Sequence, residues 1–148
     1  MGKIKKQGRV VLAGVALLAL AACDPVPVGD TSCPSPAVCE IVALTASDVR
    51  SDIGKNYGGG VVLRNARALG PALVIDVSLP LSAEAFKTPV GQRIIRDFGK
   101  NLAGGFCGAG ATSDDFFKMG ATLRARGFSK DSVIVADQVI RSCGGRRR

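Results

Sequence analysis

The chain has 148 residues, a net charge of +8 and five cysteines, and it contains no histidine and no tryptophan. This length is enough for one compact domain. The lack of histidine excludes serine–histidine catalysis and removes the commonest general base and the commonest metal ligand of proteins.

The first 22 residues have the order of a bacterial export signal, with a basic start and then an apolar run over residues 10–22. These 13 apolar residues are too few to cross a bilayer core of about 30 Å as a helix. The run closes on Leu20-Ala21-Ala22-Cys23, which resembles the lipobox of bacterial lipoproteins. The resemblance implies cleavage between Ala22 and Cys23, and attachment of acyl chains such as palmitate to Cys23. The basic residues of the start are Lys3, Lys5, Lys6 and Arg9.

An ordinary secretory signal is the alternative, because Ala19-Leu20-Ala21 also fits the site of the general signal peptidase. The number of cysteines favours lipidation, since an unmodified Cys23 would leave an odd thiol in an oxidising compartment. Asp24 follows, a residue associated with inner-membrane retention in enteric bacteria, but this rule differs among bacterial groups. The sequence therefore predicts a lipid-anchored protein of the bacterial envelope that faces the periplasm or the exterior, and leaves the choice of membrane open.

Charge is distributed unevenly along the chain. Removal of residues 1–22 leaves 126 residues with 16 basic and 12 acidic side chains. Three of the basic ones form a tail over residues 144–148, Gly144-Gly145-Arg146-Arg147-Arg148. This tail is either a solvated end or a contact with anionic lipid. The rest is close to neutral, which gives little support for a nucleic-acid partner.

Residues 23–38 are predicted to form a proline-rich tether that begins at the lipidated cysteine, and residues 39–143 a single α+β domain. The tether holds four prolines, which favour extended backbone. A short apolar run at 40–44 predicts a strand. Thr45 or Ser47 then caps a predicted helix whose apolar positions recur every four residues, until three glycines at 58–60 end it. These apolar positions are Val49, Ile53 and Tyr57.

Two strands are predicted next, at 61–68 and 72–79. The second alternates apolar residues on one face (Leu73, Ile75, Val77 and Leu79) with Val74, Asp76 and Ser78 on the other. This pattern is typical of a half-buried strand in an antiparallel sheet.

A second helix is predicted to begin with Thr88 as N-cap and Pro89 in the first position. Its apolar stripe is Val90, Ile94, Ile95, Phe98 and Leu102, and Gly104-Gly105 should end it before a glycine-rich link through Thr112. Strands at 116–126 and 133–141 complete the domain. The predicted order is helix-strand-strand-helix-strand-strand, with two helices on one face of an antiparallel sheet of four strands.

Two disulfides are predicted from this layout, Cys33–Cys39 at the foot of the tether and Cys107–Cys143 between the second helix and the last strand. Four cysteines allow three pairings, so the other two stay open. A redox or nucleophilic cysteine site is disfavoured because the chain has no C-x-x-C pair.

Candidate chemical groups are few. Asp114-Asp115 is the one adjacent carboxylate pair, and neighbours on a strand point to opposite faces and cannot converge on one substrate. The glycines at 105, 108 and 110 lack the lysine of a phosphate-binding loop, and no EF-hand spacing is present, so we predict neither cofactor nor metal. Lys118, Arg124 and Arg126, joined by Arg64 and Arg67, form either a basic binding face or an ordinary solvated one.

We therefore expect a non-catalytic envelope lipoprotein that binds a protein partner, for instance in a secretion or envelope assembly. Short lipoproteins of secretion machineries share this plan of tether and small domain, which is an analogy of architecture. The alternative is a small ligand-binding or carboxylate-dependent enzymatic lipoprotein, which would need converging Asp or Arg side chains in a pocket.

Overall fold

The computed structural model describes residues 31–108 and 111–144. The predicted signal segment, Cys23, the first part of the tether and Arg146–Arg148 lie outside the described residues. The elements in chain order are α1 (Pro36–Arg50), β1 (Val62–Leu69), β2 (Ala72–Ser78), a 3-10 turn (Ala85–Lys87), α2 (Pro89–Gly108), α3 (Ala111–Lys118), β3 (Thr122–Phe128) and β4 (Ile134–Ile140).

The four strands form one sheet in the order β1-β2-β3-β4, so the predicted α+β class is confirmed. The outer pairs are antiparallel, but β2 and β3 are parallel, which corrects the fully antiparallel prediction. The reason is that α2 and α3 lie between β2 and β3 and carry the chain back to the end of the sheet where β2 begins. Parallel neighbours need such a crossover.

The hydrophobic core lies between one face of the sheet and the helices. Alternate residues of β2 supply its centre as predicted: Leu73, Ile75 and Val77 are buried there, next to Leu123 of β3. Helix α1 packs against β1 and β2. Helix α2 lies towards β4, where Gln138 reaches the Ile95 carbonyl.

Helix α1 replaces the predicted strand at 40–44. It begins at Pro36 after an extended Ser35, three residues before the predicted start of the domain. Its buried residues, Val38, Val42 and Ala46, recur every four positions. Thr45 is therefore mid-helix and donates its hydroxyl to the Ile41 carbonyl instead of capping. The helix ends at Arg50, so Ile53 and Tyr57 lie in the loop that follows.

Helix α2 begins as predicted, since Thr88 accepts a hydrogen bond from the Gly91 amide and Pro89 takes the first position. The predicted stop at Gly104-Gly105 is wrong. The helix continues to Gly108 because Phe106 and Cys107 prolong the stripe that packs on the core.

Helix α3 replaces the glycine-rich link and the start of a predicted strand. Phe116 and Phe117 are both buried, with ring centroids 5.3 and 5.6 Å from that of Phe106. Strand β3 starts only at Thr122. Two adjacent buried aromatic residues suit a helix that is covered over a wide arc, and they could not lie on one face of a strand.

Both predicted disulfides are confirmed. The Cα atoms of Cys33 and Cys39 are 5.9 Å apart and those of Cys107 and Cys143 are 5.4 Å apart. Both bonds lie at the end of the sheet where the described chain begins and ends. There Gly70, with φ at +55°, lies so close to the backbone of Thr31 that a Cβ would overlap it.

Candidate functional site: an apolar groove between two helices

An apolar groove of about 900 Å³ lies on the helical side of the sheet, between α1 and α2. Three neighbouring strands form its floor, with Leu63 from β1, Ile75 and Val77 from β2, and Leu123 from β3. The groove exists because α1 covers β1 while α2 leans towards β4, which leaves the centre of the sheet incompletely covered.

The walls of the groove come from the apolar stripes of the two helices. Val49 of α1 faces it from one side, and Ile94, Phe98 and Leu102 of α2 from the other. Ile94 and Leu102 are only half-buried. The stripe of α2 is thus wider than the core contact needs, and its remaining part forms the wall.

A loop that follows α1 forms one end of the groove. Tyr57 is 54% exposed and its hydroxyl donates to Asp52 at 3.0 Å. The Gly58 amide donates to the Asn56 side chain, and Gly58 and Gly59 both have positive φ, a conformation that favours glycine. Partial burial, helped by Asp52, raises the pKa of Tyr57, so its phenol stays neutral at physiological pH.

Apart from the Tyr57 hydroxyl at one end, the polar side chains of the groove are few and lie on α2. Asp97 and Asn101 line it, and both side chains are exposed. Among the described residues there is no group of three or more His, Cys, Asp or Glu side chains placed to hold a metal ion. The groove is therefore suited to binding apolar side chains, with a polar contact available from α2.

The opposite face of the sheet carries a network of ion pairs. Asp76 of β2 accepts hydrogen bonds from Arg67 of β1 at 2.8 Å and from Arg126 of β3 at 2.7 and 2.8 Å. Asp137 of β4 accepts two from Arg124 of β3, at 2.8 and 2.6 Å.

These bonds lower the pKa of both carboxyl groups. Burial alone would raise the pKa of Asp76, but the hydrogen bonds from Arg126 and Arg67 together outweigh it. The hydrogen bonds from Arg124 lower the pKa of Asp137 in the same way. Both carboxylates thus stay ionised and engaged, which makes them unsuitable as general acids.

The predicted basic row is not a continuous one. Lys118 lies on α3, where its ammonium is 3.5 Å from Asp115, because the strand predicted to carry it is a helix. Arg124 and Arg126 do share the outer face of β3, but each is paired with a carboxylate. Arg64 stacks over the Phe128 ring at 4.9 Å. The face therefore presents alternating charges and not a uniformly basic surface.

Asp114 and Asp115 are exposed on α3, so they are not strand neighbours as predicted. Successive helix positions diverge by about 100°, and the two carboxylates still do not converge. In the part of the chain that the structure describes, no helix is both long and apolar enough to span a bilayer. Cys23 and Ala22 lie outside the described residues.

Sequence reasoning missed the groove. The sequence pattern predicts core positions for its floor and for the α2 stripe, and a helix position for Tyr57. The α2 stripe gave no signal of the groove, because five apolar residues in three and a half turns are what one packed helix face ordinarily carries.

No family model matches the sequence, and no curated protein matches it. Solved structures do resemble it. The pilotin EpsS from the type 2 secretion system of Vibrio vulnificus superposes with a TM-score of 0.58 and 12% identity, over 74% of this chain and 94% of that one. The type II secretion system pilotin AspS from Vibrio cholerae gives a TM-score of 0.52 and 16% identity, over 70% and 88%.

A protein from Pseudomonas aeruginosa described as secreted gives a TM-score of 0.54 and 13% identity, over 70% of this chain and 88% of that one. The likeness is one of fold. At these identities the two pilotins and the third protein share an architecture with this chain, and their coverage extends over most of the described α+β domain.

Proposed function

We propose that the chain is an exported lipoprotein, anchored through Cys23, whose groove binds an amphipathic helix of a protein partner in an envelope secretion assembly. The lipobox-like sequence supports the anchor, and so does the use of the other four cysteines in two disulfides. The fold shared with two pilotins supports the setting. The role is one of binding, with no cofactor.

The groove is the observation that carries this proposal. Two helices bound the groove and the sheet forms its floor. A helix of the partner that lies in the groove would therefore contact apolar side chains on three sides. Recognition of an amphipathic helix in a groove uses anchors at about every third or fourth residue. Asp97 and Asn101 on α2 can meet the polar flank of such a helix.

Site-specific cross-linking tests the groove. A photoreactive residue at position 102 in the anchored protein should cross-link, in native envelopes, to an amphipathic segment of a secretion component. Ile94→Lys puts a charge into the groove and should abolish this product. Val90→Lys is the matched control, because Val90 is 67% exposed one turn earlier on α2 and does not line the groove.

Two results would contradict the groove as a partner site. If both lysine variants reduce the product equally, the effect is not local to the groove. If the cross-linked species is phospholipid alone, the groove holds acyl chains and the protein belongs to a lipid-binding class.

The mass of the intact protein tests the anchor separately. Chain purified from envelopes should lack residues 1–22 and carry the added mass of acyl chains, and Cys23→Ser should remove that mass. Each buried methylene contributes about 0.8 kcal/mol to membrane binding, so the variant should partition to the soluble fraction. An unmodified, soluble native protein would refute the anchor and leave the groove proposal standing.

A further inference from the structure

The last turn of α2 has a composition that does not favour a helix. Three of the last five residues of α2 are glycines, at positions 104, 105 and 108. Glycine is among the least favourable residues in a helix interior, and it offers no side chain that could pack on the core. This turn must therefore be held by contacts with the rest of the molecule.

Two side chains of the turn make such contacts. The ring of Phe106 packs edge-on against the rings of Phe116 and Phe117 of α3. The next residue, Cys107, is bonded to Cys143, which follows β4. The disulfide thus links the end of α2 covalently to the end of the sheet, and it restrains the backbone on which Phe106 is carried.

Phe106 belongs to the groove as well. Gly105 and Phe106 line the groove at the end of α2, whereas the loop at Tyr57 and Gly58 forms the opposite end. Phe106 is only half-buried, so part of its surface is available to a bound partner. This end of the groove therefore has its apolar wall only while the last turn of α2 is helical.

The disulfide itself lies outside the groove, in a second cleft of about 830 Å³. Cys107 and Cys143 line this cleft together with Lys118 and Arg141. Both cysteines are half-buried. A small dithiol can therefore reach the disulfide from this cleft, without unfolding the domain and without entering the groove.

We propose that the Cys107–Cys143 disulfide is a redox switch that controls the groove. When the bond is formed, the last turn of α2 holds Phe106 against α3, and the groove is complete. When the two cysteines are reduced, the glycine-rich turn unravels, Phe106 leaves the wall, and the groove loses affinity for its partner. The switch rests on the proposed function, because it takes the groove to be the partner site.

The bond opens by exchange with a dithiol. One thiolate of the reagent attacks a cysteine sulfur and displaces the other cysteine as a thiolate, which leaves a mixed disulfide. The second thiol of the reagent then attacks the mixed disulfide and releases the first cysteine. The reagent ends as a cyclic disulfide, and the two electrons and two protons that it loses end on the two cysteine thiols.

Hydrogen exchange of the protein purified from envelopes tests the effect on α2. Cys107→Ser/Cys143→Ser should raise the exchange rate of amides 104–108 by roughly tenfold or more and leave β2 and β3 protected. Cys33→Ser/Cys39→Ser is the matched control, because it removes a disulfide at the same end of the sheet and should leave these amides unchanged. Dithiothreitol added to this control variant should produce the fast exchange, and oxidised glutathione should reverse it.

Alanine substitutions separate an effect on the end of α2 from a general loss of stability. Gly104 and Gly108 have open space where a Cβ would be, and neither lines the groove. Gly104→Ala/Gly108→Ala, added to Cys107→Ser/Cys143→Ser, should restore slow exchange, because alanine favours the helix without the bond. Loss of protection throughout the serine variant, or no recovery with alanine, would overturn the switch.

Cross-linking through position 102 in native envelopes tests the effect on binding. Per molecule of anchored protein, Cys107→Ser/Cys143→Ser should lower the yield of the product by roughly tenfold or more, as expected for loss of an apolar wall. Gly104→Ala/Gly108→Ala should restore the yield. A serine variant that cross-links as well as the native protein would overturn the switch and leave the proposed function standing. A native protein that cross-links to no protein would refute the proposed function, and the switch with it.

Discussion

The residue that most constrains the outer face of the sheet is Asp76. It is 6% exposed and sits between Arg67 and Arg126, which hold it from both neighbouring strands. Removing one member of a buried ion pair leaves the other charge without compensation, and this costs more than the pair itself contributes. Arg124 and Asp137 make a similar pair, but the Asp137 side chain is 35% exposed against 9% for Asp76, so water can solvate the site when the pair is broken.

Asp76→Asn should therefore lower the free energy of unfolding by about 2–4 kcal/mol, because two arginines lose their carboxylate. Asp137→Asn removes the same charge at the more exposed site and should cost about 1 kcal/mol or less. Urea denaturation of both variants measures the difference. Equal losses would mean that burial of Asp76 does not govern its contribution.

The cost of Asp76→Asn should also depend on pH. The pKa of Asp76 is lowered in the folded protein, and its unfolded value is about 3.9. A lowered pKa contributes stability that is present above the unfolded value and is lost as the pH falls through the folded value. The difference between native protein and variant should thus be constant near neutral pH and shrink below about pH 4. A difference that persists undiminished at pH 2 would contradict this assignment.

Helix α2 is the element that makes the groove, and its two ends meet different surroundings. In the first turn, Gly91 is buried against the backbone of the 3-10 turn, and a Cβ there would overlap atoms of Ala85 and Phe86. Near the other end, Gly104 is exposed, with open space where its Cβ would be. The same substitution should therefore have opposite effects at the two sites.

Gly91→Ala should destabilise the protein by about 1–3 kcal/mol, because backbone atoms cannot yield as a side chain can. Gly104→Ala should stabilise it by about 0.5–1 kcal/mol through the better helix propensity of alanine. Thermal unfolding of the two variants provides the measurement. A stabilised Gly91→Ala protein would show that α2 does not approach the 3-10 turn this closely.

The elements also show which parts of the fold the sequence could predict. The alternation in β2 and the Thr88-Pro89 start of α2 are local sequence patterns, and the structure agrees with both predictions. The strand predicted at 40–44 is wrong because a short apolar run, here Ile41 to Leu44, fits a strand or a helix equally well. Only the four-residue spacing of Val38, Val42 and Ala46 separates the two. Phe117, Met119 and Ala121 alternate like a strand, but Phe116 beside them is buried too.

The groove and the parallel β2–β3 pair could not be predicted, because each depends on how distant elements are placed. Phe106 prolongs α2 beyond two glycines that locally favour a stop, since its ring packs on Phe116 and Phe117 of α3. The Cys107–Cys143 disulfide could be predicted from the order of the elements, because Cys107 lies in the last turn of α2 and Cys143 follows β4, the strand towards which α2 leans.

At the scale of the whole molecule, the first and the last described residues lie at the same end of the sheet. Thr31 passes over Gly70 in the β1–β2 turn, and Cys143 follows β4 at the same end. The predicted lipid anchor precedes Thr31 and the predicted basic tail follows Cys143. The loop at Tyr57 and Gly58 lies instead before β1, at the opposite end of the sheet.

The two disulfides that fasten this end should differ in their contribution to stability. Cys107–Cys143 has a sequence separation of 36 and Cys33–Cys39 one of 6, so the first constrains far more of the unfolded chain. By loop-closure entropy, the double variant Cys107→Ser/Cys143→Ser should lose about 4 kcal/mol, and Cys33→Ser/Cys39→Ser about 2 kcal/mol. Denaturant unfolding under oxidising conditions compares them. A larger loss for Cys33→Ser/Cys39→Ser would mean that the Cys33–Cys39 disulfide stabilises the start of α1 by more than loop-closure entropy. Helix α1 would then unfold when this disulfide is removed.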